Sequence, residues 1–366
     1  MTGYIIIAAM CLLLVFCGRQ EVYLSIENHK RVLYPVKHKC LSHRFQNLLA
    51  CFMLVGMCIL TAFRSLDIGN DTATYASIYT QIAVGGIGIF SSVELGFQYF
   101  CWILSRFFGE PDIMFAGCAI ISYFFVGKYI FKRSNNIPAS VCLFFAMLFS
   151  FYMSGLRQSI AMVFVLYAYD WLKRGKKVHA LILVLLGMCF HTSAIMALVF
   201  FFCDAFPRKI NVVFGIMVCV IAFAATGVAN RLLQALLGRY GHFFETDRVG
   251  TGWLAVSVAV IRHMIFYYFI YKACARNWDV RENRLAYANA FLLLICACLG
   301  YSMNLFSRAW NYFLLIACVD LPNALCYRKD WKIWNVLICA ILVAYFFVTM
   351  IYRPEWNHLY PYEFRR

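Results

Sequence analysis

An all-α polytopic membrane protein is expected, with about 10–12 membrane helices, a short helical hairpin and an interfacial helix near the outer face. Of the 366 residues, 63% are hydrophobic and 18% aromatic, whereas only 14% are charged. One soluble core cannot hide that much apolar surface. The apolar residues fall in runs of spanning or near-spanning length, about 20 residues for a helix across the hydrocarbon. Short clusters of Lys and Arg separate the runs, as cytoplasmic connections do.

The first run, residues 3–18, lacks the basic start and small-x-small cleavage site of a signal peptide, so it reads as a helix. Further runs follow at 47–63, 113–131, 137–152, 156–172, 210–227, 253–275, 285–300, 309–326 and 333–352. Residues 97–108 are too few to span and carry Arg106, so they read as an interfacial helix. Residues 178–206 are too many for one span and too few for two. Six basic clusters (19–44, 132–133, 173–177, 208–209, 276–284 and 328–332) share one side only if 178–206 enters and returns, with Phe190-His191-Thr192 at its outer tip. The single transmembrane domain, 1–366, then has a basic cytoplasmic loop at 19–46. Extracytoplasmic segments follow at 64–112, 228–252 and 353–366, and both termini lie outside. The 17 cysteines are scattered singly with no Cys-x-x-Cys, which reads as packing rather than metal binding or a disulfide framework.

One consequence was not imposed by that assignment. Every lysine falls on the cytoplasmic side or at that end of a helix, whereas the outer basic residues, among them Arg64, Arg157, Arg248 and Arg308, are all arginine. Arginine's planar fork binds phosphate bidentately and keeps its charge in a poorly hydrated cleft, which points to an anionic, phosphate-bearing ligand. The bland alternative is that lysine is filtered from that side by topology alone.

Four polar constellations map to the outer face. Gly69-Asn70-Asp71-Thr72 favours a turn into a helix through Tyr75, with Asp71 either an N-cap or a carboxylate that activates a hydroxyl. Glu94 opens a second helix. Gly155-Leu156-Arg157-Gln158 opens a third, where free N–H groups and the positive dipole end join Arg157 in an anion site. His191, with Thr192 and Ser193, stands where the backbone breaks in the membrane. That is tolerated only under cover of protein or water, and the imidazole there is either a satisfied structural group or a catalyst. Arg308, four residues before Tyr312, is a second candidate phosphate arginine.

At Gly69-Asn70-Asp71-Thr72 with Tyr75, Glu94-Leu95-Gly96-Phe97, Leu156-Arg157-Gln158 with Ala161, Phe190-His191-Thr192-Ser193-Ala194, and Arg308 with Tyr312, the chain resembles the EpsG family, related to Wzy-type polymerases of O-antigen, capsule and exopolysaccharide. The resemblance runs over about residues 60–325. It implies a GT-C-like glycosyltransferase at the outer leaflet of a bacterial plasma membrane. Such an enzyme moves a growing glycan from undecaprenyl diphosphate to a fresh lipid-linked oligosaccharide repeat unit. The large outer loops of many such enzymes are modest here, 230–251 being the main candidate for one, and the acceptor-binding region is left unassigned.

The expected catalytic residues are Asp71, His191 and Arg157. Arg64, Glu94, Gln158, Arg308, Tyr312, Tyr75 and Arg248 are expected at the substrate. No Asp-x-Asp motif or dense carboxylate cluster is present, so a metal-independent, inverting transfer without cofactor is expected. The expected partners are the lipid-linked oligosaccharide, the bilayer, a chain-length regulator and a flippase, with no nucleic acid. Three rival readings remain, the faintest a membrane-bound acyl transfer to a sugar that could also use His191. A flippase predicts charges deep in spans and two related halves, and a ligase would share the donor.

Overall fold

The computed structural model describes residues 1–18, 21–27, 30–36, 41–225, 253–300, 304–356 and 358–365. The expected outer loop at 228–252, with Arg248, lies outside them. The chain divides into two compact units, Met1–Ile195 with Cys318–Arg366, and Met196–Ala317.

The first unit begins with α1 (Thr2–Cys17), an antiparallel hairpin of β1 (Glu21–Glu27) and β2 (Lys30–Val36), and α2 (Leu41–Ala62). The hairpin stands in the segment expected to be a plain loop. Its signal is the β-branched and aromatic residues Val22, Tyr23, Ile26, Val32 and Tyr34. Next come α3 (Thr72–Gly85), α4 (Leu95–Ser105), α5 (Asp112–Arg133), α6 (Ile137–Ser154), α7 (Leu156–Lys173) and α8 (Lys177–Met188). A 3₁₀ segment, Thr192–Ala205, leads into the second unit. That unit holds α9 (Ile210–Ala225), α10 (Trp253–Cys274), α11 (Arg281–Leu299) and the start of α12 (Asn304–Leu325), whose end returns to the first unit before α13 (Trp331–Tyr352).

Among the described residues five helices are long and apolar enough to cross a membrane: Arg44–Ala62 of α2, α5, α6, α11 and α13. The protein is therefore an all-α polytopic membrane protein, as its composition requires. Two segments stop short. At 1.5 Å per residue, α4 and α8 reach only about 16 and 18 Å, against roughly 30 Å of hydrocarbon.

Helix α6 is the pillar of the first unit, packing against α1, α2, α5, α7 and α13. The Asn136 side chain caps it by accepting from the Ala139 N–H at 3.2 Å, with Pro138 in the first turn. Phe144, Phe145, Leu148 and Phe149 are fully buried along it, and Tyr4 of α1 meets Phe149 edge-on at 5.7 Å. At one end of this unit, Asp170 pairs with Arg133 and Arg174, each at 2.5 Å. Beside it, Asp320 takes Lys173 at 3.0 Å and the Tyr169 hydroxyl at 2.6 Å. Asp170 and Asp320 are thus ion-paired and join the ends of α5, α7 and α12. The opposite end carries the candidate site.

In the second unit, α11 packs on α9 and α10. Asn289, fully buried, donates to the Phe313 carbonyl at 3.0 Å, and Arg284 pairs with Asp204 at 2.5 Å.

Candidate functional site

Gly155 interrupts what would otherwise be one helix and lets α7 start afresh at Leu156. A Cβ on Gly155 would run into the Phe151 ring, so its lack of a side chain serves close packing on that side. The residue at the start of α7, Gly155, has no side chain to cap it, and the positive dipole end of the helix stands here with Arg157 on its first turn.

The Arg157 Nη1 meets Glu94 Oε2 at 2.5 Å and donates to the Ser92 carbonyl at 3.3 Å. Glu94 is the residue preceding α4, and its second oxygen accepts from the Thr192 N–H at 3.0 Å and the Thr192 hydroxyl at 3.3 Å. The Gly96 N–H donates to the Cys189 carbonyl at 2.8 Å, seating the start of α4 on the turn after α8. One carboxylate therefore ties the α7 arginine to the turn bearing His191. Tyr75 lies behind the guanidinium, its ring centroid 5.9 Å from Arg157 Cζ. Burial raises the Tyr75 phenol pKa, while the Arg157 charge and hydrogen bond act in the opposite direction.

His191 Nδ1 receives the Ser193 N–H at 3.3 Å and lies 2.7 Å from the Ser193 hydroxyl. A backbone N–H can only donate, so Nδ1 carries the lone pair and the neutral ring bears its proton on Nε2. Phe190 stacks on Phe164 of α7 at 5.6 Å, fixing the turn from below.

The loop before α3 reaches the same end. Gly69 has φ +84°, and a Cβ there would lie 2.8 Å from the Met153 carbonyl, so only glycine passes. The Asn70 N–H donates to the Ser154 hydroxyl at 3.2 Å, one residue before the α6–α7 break. Asp71 occupies the N-cap position of α3, yet its side chain makes no cap hydrogen bond and is exposed. That leaves its carboxylate for another use.

Other expected residues take different positions. Arg64 is fully buried. It donates from Nε to the Thr72 hydroxyl at 3.2 Å and from Nη1 to the Thr61 carbonyl, and lies 4.8 Å from the Phe115 ring. Burial pulls its guanidinium down to about 10. In this structure it supports the loop from within. Gln158 is buried. Arg308 is exposed and Tyr312 buried on the part of α12 that belongs to the second unit. Arg248 lies outside the described residues. The first unit thus brings together Asp71, Tyr75, Glu94, Arg157 and His191. Pattern reading missed Ser154, Trp356 and His358, which hold the Asp71 loop; hydrogen bonds across such sequence distances leave no local signature.

The EpsG family profile matches residues 47–364, most of the chain and every residue of this cluster. The chain belongs to the EpsG family. EpsG proteins form a Wzy-type, polymerase-like family, so a polysaccharide polymerase-like role is the general function of this chain. No curated protein and no solved structure matches it.

Proposed function

We propose that this EpsG-family protein is a glycosyltransferase of the bacterial plasma membrane that polymerises lipid-linked oligosaccharides at the outer face. The observation that carries the reading is Arg157, held by Glu94 at the uncapped start of α7 beside the His191 turn and the Asp71 loop. A sugar activated as a diphosphate needs its leaving charge stabilised. A fixed guanidinium at the positive end of a helix dipole offers that stabilisation.

In this reading the growing glycan enters on undecaprenyl diphosphate, and a hydroxyl of a fresh repeat unit attacks its anomeric carbon. The new C–O bond forms as the bond to the diphosphate breaks, with inversion and without a metal ion. Asp71 takes the hydroxyl proton. His191 suits the opposite role: with its Nδ1 lone pair engaged by Ser193, the ring offers an Nε2–H donor to an anionic oxygen. Arg308 and Tyr312 remain candidate substrate contacts of the second unit, as does Arg248. In this reading the cluster faces outward with both termini on that side, an orientation supported by the grouping of the Lys and Arg clusters on the opposite face.

The test is reconstitution of the purified chain in vesicles with lipid-linked repeat units. A ladder of products supports polymerisation. Movement across the bilayer without new bonds would mean a flippase, and transfer onto a lipid A core would mean a ligase.

A further inference from the structure

We infer that the C-terminal tail, residues 354–365, is a positioning element for Asp71. The inference rests on the role given to Asp71 above and adds a part of the chain to which that role assigns nothing. After α13 the chain makes a short turn, Pro354–Trp356, closed by the His358 N–H on the Pro354 carbonyl at 2.8 Å. It then crosses the loop between α2 and α3. The Trp356 carbonyl accepts from Asn70 Nδ2 at 2.9 Å, and the His358 carbonyl accepts from the Gly69 N–H at 3.0 Å. Farther along, the Ser65 N–H donates to the Glu363 carbonyl and the Arg365 N–H to the Phe63 carbonyl, each at 2.9 Å, forming an antiparallel bridge between Arg64 and Phe364.

Side chains fasten the tail independently of that loop. The Tyr362 hydroxyl donates to the Leu60 carbonyl at 2.9 Å, the Tyr4 hydroxyl to the Leu359 carbonyl at 3.2 Å, and Arg365 pairs with Asp112. Leu359 is buried among them. On its other flank the loop is held by Ser154 at the Asn70 N–H, and the Thr72 hydroxyl turns back to the Ile68 carbonyl at 2.5 Å.

Positions 65, 69, 70 and 72 are therefore tied, and the Asp71 side chain among them is exposed and makes no cap bond. A group that must meet a hydroxyl within about 0.5 Å of the productive geometry needs this kind of support. A tail that merely anchored the chain end would have no need to bond both residues preceding Asp71.

The experiment compares the full-length chain in detergent with a chain ending at Arg353 and with Asn70→Ala. Hydrogen exchange at the Ser65 and Gly69 amides is expected to accelerate at least roughly tenfold in the shortened chain, because both lose their acceptors. Using polyprenyl-diphosphate-linked oligosaccharide extracted from cells lacking this protein, Asn70→Ala should lower kcat by about 10- to 100-fold, the scale of a small misplacement. KM should stay within about threefold, because no substrate contact is removed. Unchanged exchange, unchanged kcat or a rise in KM alone would each overturn the inference. If the shortened chain fails to fold, Asn70→Ala still decides. If the wild-type chain builds no polymer, the polymerase reading falls, and exchange in the shortened chain and in Asn70→Ala still judges the tail.

Discussion

Arg157 and Glu94 meet at 2.5 Å, and the other oxygen of the same carboxylate holds Thr192. The ion pair is partly buried, with each side chain about one-fifth exposed. It orients the guanidinium while leaving a rim open. Arg157→Lys keeps the charge but loses the planar fork, and it should lower transfer by about 100-fold, the loss typical of one preorganised donor. Circular dichroism and detergent stability should remain those of the wild type. Normal product-length distributions would refute a phosphate-binding role.

Glu94→Gln should be milder than Glu94→Ala, because the amide can still accept from Thr192 but no longer balances the arginine. A double-mutant cycle with Thr192→Val is expected to reveal a coupling of about 1 kcal/mol, the usual size for residues in one hydrogen-bond network. Additive losses would mean that Glu94 does not transmit the position of the turn.

Asp71→Asn and His191→Ala should both slow transfer, by about 100-fold or more where the proton acceptor is lost. The assignments above make Asp71→Asn the more damaging. Rate measurements on the two variants at one pH decide the order, and a wild-type rate in Asp71→Asn would exclude it as the base.

Much of this cluster was legible because charge inside an apolar sequence is costly. Arg157, Glu94 and His191 stand out against their neighbours, and the break at Gly155 marks where α7 begins. The buried position of Arg64 was not legible, because an arginine in a polar loop reads as exposed until Thr72, Thr61 and Phe115 are seen around it. The β1–β2 hairpin was obscured by the basic residues in and around it, which read as a connecting loop. Helix ends also ran past the apolar runs: α2 begins at Leu41 rather than 47, because Ser42, His43 and Arg44 continue the helix beyond its hydrophobic part.

Tyr362 makes the docking of the tail sensitive to alkali. Partial burial pushes its phenol from 10.0 up to about 12. A raised folded-state value means that its contribution is fully present below pH 10 and fades as pH climbs towards 12. Limited proteolysis of the tail should accelerate across that window in the wild type. Tyr362→Phe should lose about 1 kcal/mol of docking at neutral pH, the worth of one hydrogen bond, and show no such alkaline step.

Asp320→Ala should destabilise the first unit by about 3 kcal/mol, since it removes the carboxylate that pairs with the largely buried Lys173 ammonium. The double variant with Lys173→Met should recover much of that loss. Thermal unfolding in detergent reads both, and equal stability of the single and double variants would argue against a buried pair.

Sidedness has its own test. Thr192→Cys, at an exposed position on the turn, should react with a membrane-impermeant maleimide added to intact spheroplasts. Reaction only after the membrane is opened would reverse the orientation.

The hydrogen bond from Asn70 to the Trp356 carbonyl joins residues 286 positions apart. At about 5–20 residues per second, ribosomes need roughly 15–60 s to make the intervening chain. Through that interval the nascent α2–α3 connection stands inserted without its final partners. The Asp71 loop thus reaches its final hydrogen bonding only after residues 356 and 358 have been made and have docked on it.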